Sequence, residues 1–76
     1  MNPPLPVVSG ADVINALVNA GFARVGQRGS HVKLRKAYLT VIVPLHRELA
    51  PGTLRSIIRQ SEMSVEEFLE LLRKMR

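Results

Sequence analysis

The chain has no cysteine and no tryptophan, and its aromatic side chains number two phenylalanines and one tyrosine. Without a thiol there are no disulfides, no thiolate-held zinc and no cysteine nucleophile. Phe22, Tyr38 and Phe68 are too few for the stacking platform on which single-strand binders hold successive bases. The longest apolar run, Leu39 to Leu45, is interrupted by Thr40 and ended by Pro44, far short of the ~20 residues a membrane span needs. Met1-Asn2-Pro3-Pro4 carries neither the basic start nor the apolar stretch of a signal peptide. A cytoplasmic protein with no membrane partner is the expectation. A chain of 76 residues has no room for a dinucleotide fold with its partner domain, so no small-molecule cofactor is expected. One domain over residues 1–76 is expected, with 1–8 an extended lead-in rich in proline.

Acid is the other shortage. Six Asp and Glu stand against eleven Lys and Arg, for a formal charge of +5. The excess is segregated: from Arg24 to Arg59 there are eight cations (Arg24, Arg28, Lys33, Arg35, Lys36, Arg47, Arg55 and Arg59) and one acid, Glu48. Positive charge gathered in this way is the footprint of a phosphate-rich partner, although a solvated surface or an acidic protein partner gives the same count.

The patterning predicts α-β-β-β-α-α. Ser9 stands as N-cap with Asp12 three residues on, and the helix after them pairs Val13 with Leu17 and Ile14 with Val18. Gly21 is placed to stop it. Strands are expected over about 22–27, 30–35 and 39–43, joined by tight turns at Arg28-Gly29 and Lys36-Ala37-Tyr38. In the second, Val32 and Leu34 alternate with His31, Lys33 and Arg35, which gives the sheet one apolar and one basic face. Pro44 ends the third strand. Thr53 is expected to cap a second helix with Leu54, Ile57 and Ile58 on its apolar stripe, and Arg55 and Arg59 on its flank. Ser64 with Glu67 is a second capping box, opening a helix whose Val65, Phe68, Leu69 and Leu72 fall at i, i+3, i+4 and i+7. Helices covering one face of a small antiparallel sheet make an α+β fold.

Few residues are equipped for chemistry. His31 follows Gly29-Ser30 and shares its face with Lys33 and Arg35. A neutral imidazole there can take a proton from a ribose 2′-hydroxyl while the cations hold the phosphate. It reads equally as a polar surface residue on a strand. His46, just past the third strand, is a general acid, an RNA contact or a loop residue. A metal site is disfavoured, because only Glu48 is spaced to join the two histidines. Ser30 is either a phosphate contact or part of a tight turn. Arg28, Lys33, Arg35, Lys36, Arg55 and Arg59 are the remaining candidate RNA contacts.

Four segments together carry a resemblance. They are Ala20-Gly21-Phe22, Gly29-Ser30-His31, Val41-Ile42-Val43-Pro44-Leu45-His46, and Pro51-Gly52-Thr53-Leu54-Arg55-Ser56-Ile57-Ile58-Arg59-Gln60. In that order and spacing the chain resembles the HicA (YcfA-like) family of small bacterial toxins, from about Leu5 to Leu72. The resemblance implies a fold like the double-stranded RNA-binding domain. It also implies an RNase that cleaves mRNA without the ribosome and is neutralised by a HicB-type antitoxin, with His31 at the catalytic position. The rival expectation is a non-catalytic RNA-binding module using the same basic face.

Overall fold

The computed structural model describes residues 4–75; residues 1–3 of the expected lead-in lie outside them. The elements run α1 (Gly10–Asn19), β1 (Ala23–Arg28), β2 (His31–Lys36), β3 (Leu39–Pro44), α2 (Pro51–Ser61) and α3 (Val65–Lys74). The strands form one antiparallel sheet in the order β1-β2-β3. This is the expected α+β layout, with each strand shifted by up to one residue.

Local chemistry sets the helix boundaries. At α1 the Ser9 hydroxyl accepts from the Asp12 N–H at 3.0 Å, and Gly21 follows the helix at φ +102°, a conformation that favours glycine. At α3 the capping box is complete, with Ser64 N–H donating to Glu67 and Glu67 N–H to Ser64. The start of α2 differs from expectation. Its N-cap is Ala50, which offers no side-chain bond, and Pro51 is the first helical residue. The proline ring presets the helical φ and lacks an N–H that would have no partner there. The helix therefore begins ahead of Thr53, which lies inside its first turn.

The core lies between the helices and one face of the sheet. Val32 and Leu34 of β2 pair with Val43 and Val41 of β3, and all four are fully buried together with Val13, Leu17, Leu54, Ile57 and Phe68. Fully burying one such side chain contributes about 1.5–3 kcal/mol. Phe22 and Phe68 are both core residues, but Val18, expected on the seam of α1, is 47% exposed. The helical period carries it past the edge of the buried stripe.

The two edges of the sheet are treated differently. β1 has no buried residue and breaks its register with a bulge between Arg24 and Gly26, a device that discourages strand addition. At β3 the outward N–H of Ile42 donates to the Gln60 carboxamide of α2 at 3.2 Å. Pro44 is two residues on and has the same outward parity, so its missing N–H removes no ladder bond. No helix among the described residues is long and apolar enough to cross a membrane.

Candidate nucleic-acid interface

The alternation that buries Val32 and Leu34 turns His31, Lys33 and Arg35 out onto the opposite face, where all three are exposed. Successive members of this row are about 6.6 Å apart along the strand. Across the ladder His31 sits between Arg28 and Pro44, Lys33 between Gly26 and Ile42, and Arg35 between Ala23 and Thr40. Arg28 therefore joins the row beside His31. Ile42, 38% exposed, puts one apolar side chain in the middle of it. Its position follows from strand parity, but within an apolar run nothing marked it in advance as a surface residue.

His31 is the first residue of β2, and its backbone is tied down from several directions. The two-residue turn before it, Gly29-Ser30, has a positive φ of 58° at Gly29. That is the pattern of a type II′ turn, which matches the twist of the hairpin. No atom lies within 4 Å of a Cβ built on Gly29, so the glycine is required for its backbone angle rather than for space. On the other side the Leu45 N–H donates to the Ser30 carbonyl at 2.6 Å, and the Gly10 N–H donates to the His46 carbonyl at 2.9 Å. Gly10 itself presses on the strand end: a Cβ there would lie 2.0 Å from the Pro44 carbonyl oxygen. Ser9-Gly10, Gly29-Ser30-His31 and Pro44-Leu45-His46, distant in sequence, thus meet in one backbone junction. His46 is held in it by its main chain, with an exposed residue surface.

Not every candidate cation joins this face. Lys36 has the parity of Leu34, and its ammonium donates to the Ala20 carbonyl at 2.6 Å, closing the end of α1, and lies 5.8 Å from the centre of the Phe22 ring. A cation at a helix C-terminus is favoured by the helix dipole. Arg24 also has the helix-side parity and donates to Gln27 at 2.7 Å. Arg55 and Arg59 line a groove between α2 and α3. Residues are about 100° apart around a helix, which places this pair on the flank opposite Gln60, the residue that touches β3. The structure therefore gathers Arg28, Ser30, His31, Lys33 and Arg35 around one strand end and face, and places Lys36, Arg55 and Arg59 elsewhere. Among the described residues no three ligand-type side chains converge as a metal site would require.

A family model described as HicA toxin of bacterial toxin–antitoxin matches residues 10–63, more than half of the chain. The matched span starts at the glycine of the junction and runs through the turn after α2. No curated protein matches the chain.

Proposed function

The chain belongs to the HicA family of toxins of bacterial toxin–antitoxin systems, and on that footing we propose that it is an mRNA-cleaving endoribonuclease whose catalytic residue is His31. The observation that carries this reading is the backbone junction, which fixes His31 on the same exposed face as Lys33, Arg35 and Arg28. A histidine wanted only as a polar surface residue does not need its turn, its ladder partner and the loop beyond that partner all secured.

In the proposed reaction the neutral imidazole of His31 takes the proton of a ribose 2′-hydroxyl. The 2′-oxygen attacks the adjacent phosphorus as the bond to the 5′-oxygen breaks, leaving a 2′,3′-cyclic phosphate. The leaving oxygen gains a proton and departs as a 5′-hydroxyl. Lys33, Arg35 and Arg28 hold the phosphate and stabilise the charge that grows on its oxygens in the transition state. Ser30, in the turn before His31, is a further RNA contact, and His46 is an auxiliary. The chemistry asks no metal of these residues. A HicB-type antitoxin neutralises the toxin by covering this face, since masking the cations or burying His31 denies RNA its access.

Incubation of purified protein with mRNA fragments in excess chelator tests the reading. Cleavage that persists in chelator, yields cyclic-phosphate ends and disappears in His31→Ala is the expected result. Salt-sensitive RNA binding without cleavage, unchanged by His31→Ala, would instead establish the non-catalytic RNA-binding module. Loss of cleavage on chelation would sink the metal-free mechanism.

A further inference from the structure

The groove between α2 and α3 is formed by residues that the RNA-cleaving face does not use. Arg55 and Arg59 of α2 and Glu66 of α3 line it as exposed charged residues, together with buried Ile58 and half-buried Met63 and Val65. The space is about 490 Å³. Both arginines are exposed, and among the described residues neither is within ion-pair distance of an acid; the ion pair found there joins Arg73 to Glu70. Gln60 and Ser56 bond to each other on the opposite flank of α2, where Gln60 also meets the edge of β3. The arginine flank therefore turns away from the sheet.

We infer that this groove is a second docking surface for the antitoxin, and that it takes an acidic amphipathic segment. Two arginines together with Ile58, Met63 and Val65 offer both charge and apolar contact. Arginine and methionine are enriched in protein interfaces, and arginine recognises carboxylates in a bidentate manner. Phosphate fits the groove less well, because Glu66 repels it and no aromatic ring is present to stack a base. Arg55 and Arg59 are one helical turn apart, about 6 Å along the axis. A partner helix with acids four residues apart and an apolar residue between them matches that spacing. The chain's charge of +5 favours an acidic partner in general, and the groove gives that attraction a place. The inference rests on the antitoxin partnership and does not depend on whether His31 cleaves RNA.

The full-length toxin, titrated calorimetrically with its cognate antitoxin, provides the test. Arg55→Glu combined with Arg59→Glu is expected to weaken antitoxin binding by roughly tenfold or more, since like charges are then set against the partner's acids. RNA binding and cleavage should remain at the parent's level, while Lys33→Glu should weaken RNA binding and, because the antitoxin is proposed to cover that face as well, antitoxin binding with it. Arg55→Gln with Arg59→Gln keeps the aliphatic stems and gives the same direction should the charge reversal disturb folding. Antitoxin affinity within about twofold of the parent's overturns the inference. So does loss of RNA binding with antitoxin affinity retained, which would make the groove an RNA surface. Parent self-association that vanishes in the variant, again with antitoxin affinity retained, would assign the groove to a second copy of this chain. An antitoxin that binds neither parent nor variant removes the partnership itself.

Discussion

Gly10→Ala should be strongly destabilising, although ordinary rules favour it. Gly10 is the first residue of α1, where alanine is the better helix former by as much as about 1 kcal/mol and reduces the freedom of the unfolded chain. Against that, the new Cβ would sit 2.0 Å from the Pro44 oxygen, 3.0 Å from its carbonyl carbon and 3.1 Å from the Leu45 Cα. All three are backbone atoms, so no side chain can swing aside. Either α1 or the end of β3 must retreat by about 1.5–2 Å to restore contacts of 3.5–4 Å. Overpacking of this kind costs about 1–3 kcal/mol, and stretching the Gly10–His46 hydrogen bond adds about 1 kcal/mol. The net loss should be about 2–3 kcal/mol, which for a domain of this size lowers the thermal midpoint by roughly 10–20 °C. Circular dichroism melting of the variant measures it directly. Gly26→Ala and Gly52→Ala are internal controls, because neither site has a neighbour within 4 Å of an added Cβ or a positive φ. Both should be neutral or stabilising by up to about 1 kcal/mol. A Gly10→Ala protein as stable as these controls would refute the junction. If the variant retains a fold at low temperature, its RNA cleavage should fall further than its stability alone requires, since the loop that holds Ser30 has moved.

Lys36→Met should cost about 1 kcal/mol through the lost cap on Ala20 while leaving RNA affinity near the parent's, as urea unfolding and filter binding would show. Lys33→Ala should reduce the slope of log affinity against log salt by about one unit; an unchanged slope would remove Lys33 from the phosphate contacts. Glu67 bears on acid stability. The backbone N–H of Ser64, and secondarily its hydroxyl, bond the carboxylate and hold its pKa below the usual glutamate range. A folded value below the unfolded one means that this cap contributes fully above the unfolded pKa, about 4.3. Its contribution is lost as pH falls through the lower folded value. The melting difference between parent and Glu67→Gln should therefore be present at pH 7 and vanish in strong acid; a constant difference would exclude the linkage. Ala37→Gly should be neutral to mildly stabilising, since Ala37 is held at φ 54°, and relief of roughly 1–2 kcal/mol of left-handed strain outweighs the glycine's entropy loss.

The parts of the fold that rest on short-range rules were legible in the sequence. Alternation in 30–35 gave the buried and basic faces of β2, and Ser9, Ser64 and Gly21 marked helix ends. The start of α2 departs from the expected Thr53 cap because Pro51 works by a preset φ and an absent donor, which no side-chain hydroxyl signals. Val18 is exposed although it pairs with Ile14, because a spacing of four residues does not say where the buried stripe ends. For the candidate site, the sequence offers residues but not geometry. His31, Lys33 and Arg35 share a face by parity alone. That Lys36 turns back to α1, and that Gly10 touches Pro44, depend on contacts between segments far apart in the chain. Charge counting alone does not say that Arg55 and Arg59 line the α2–α3 groove, away from the cations of the sheet.

The junction at Gly10, Ser30 and Leu45–His46 also has a consequence in time. The Leu45 N–H bonds the turn before His31, and the Gly10 N–H holds the loop beyond it at His46; residues 10 and 45–46 lie on either side of that turn in the chain. A growing chain that stops short of Leu45 already carries His31, Arg28, Lys33 and Arg35 but lacks the hydrogen bond to the Ser30 carbonyl. On the proposed reading, closing this junction and completing the candidate site are one event, and an antitoxin already present meets the toxin as that site forms.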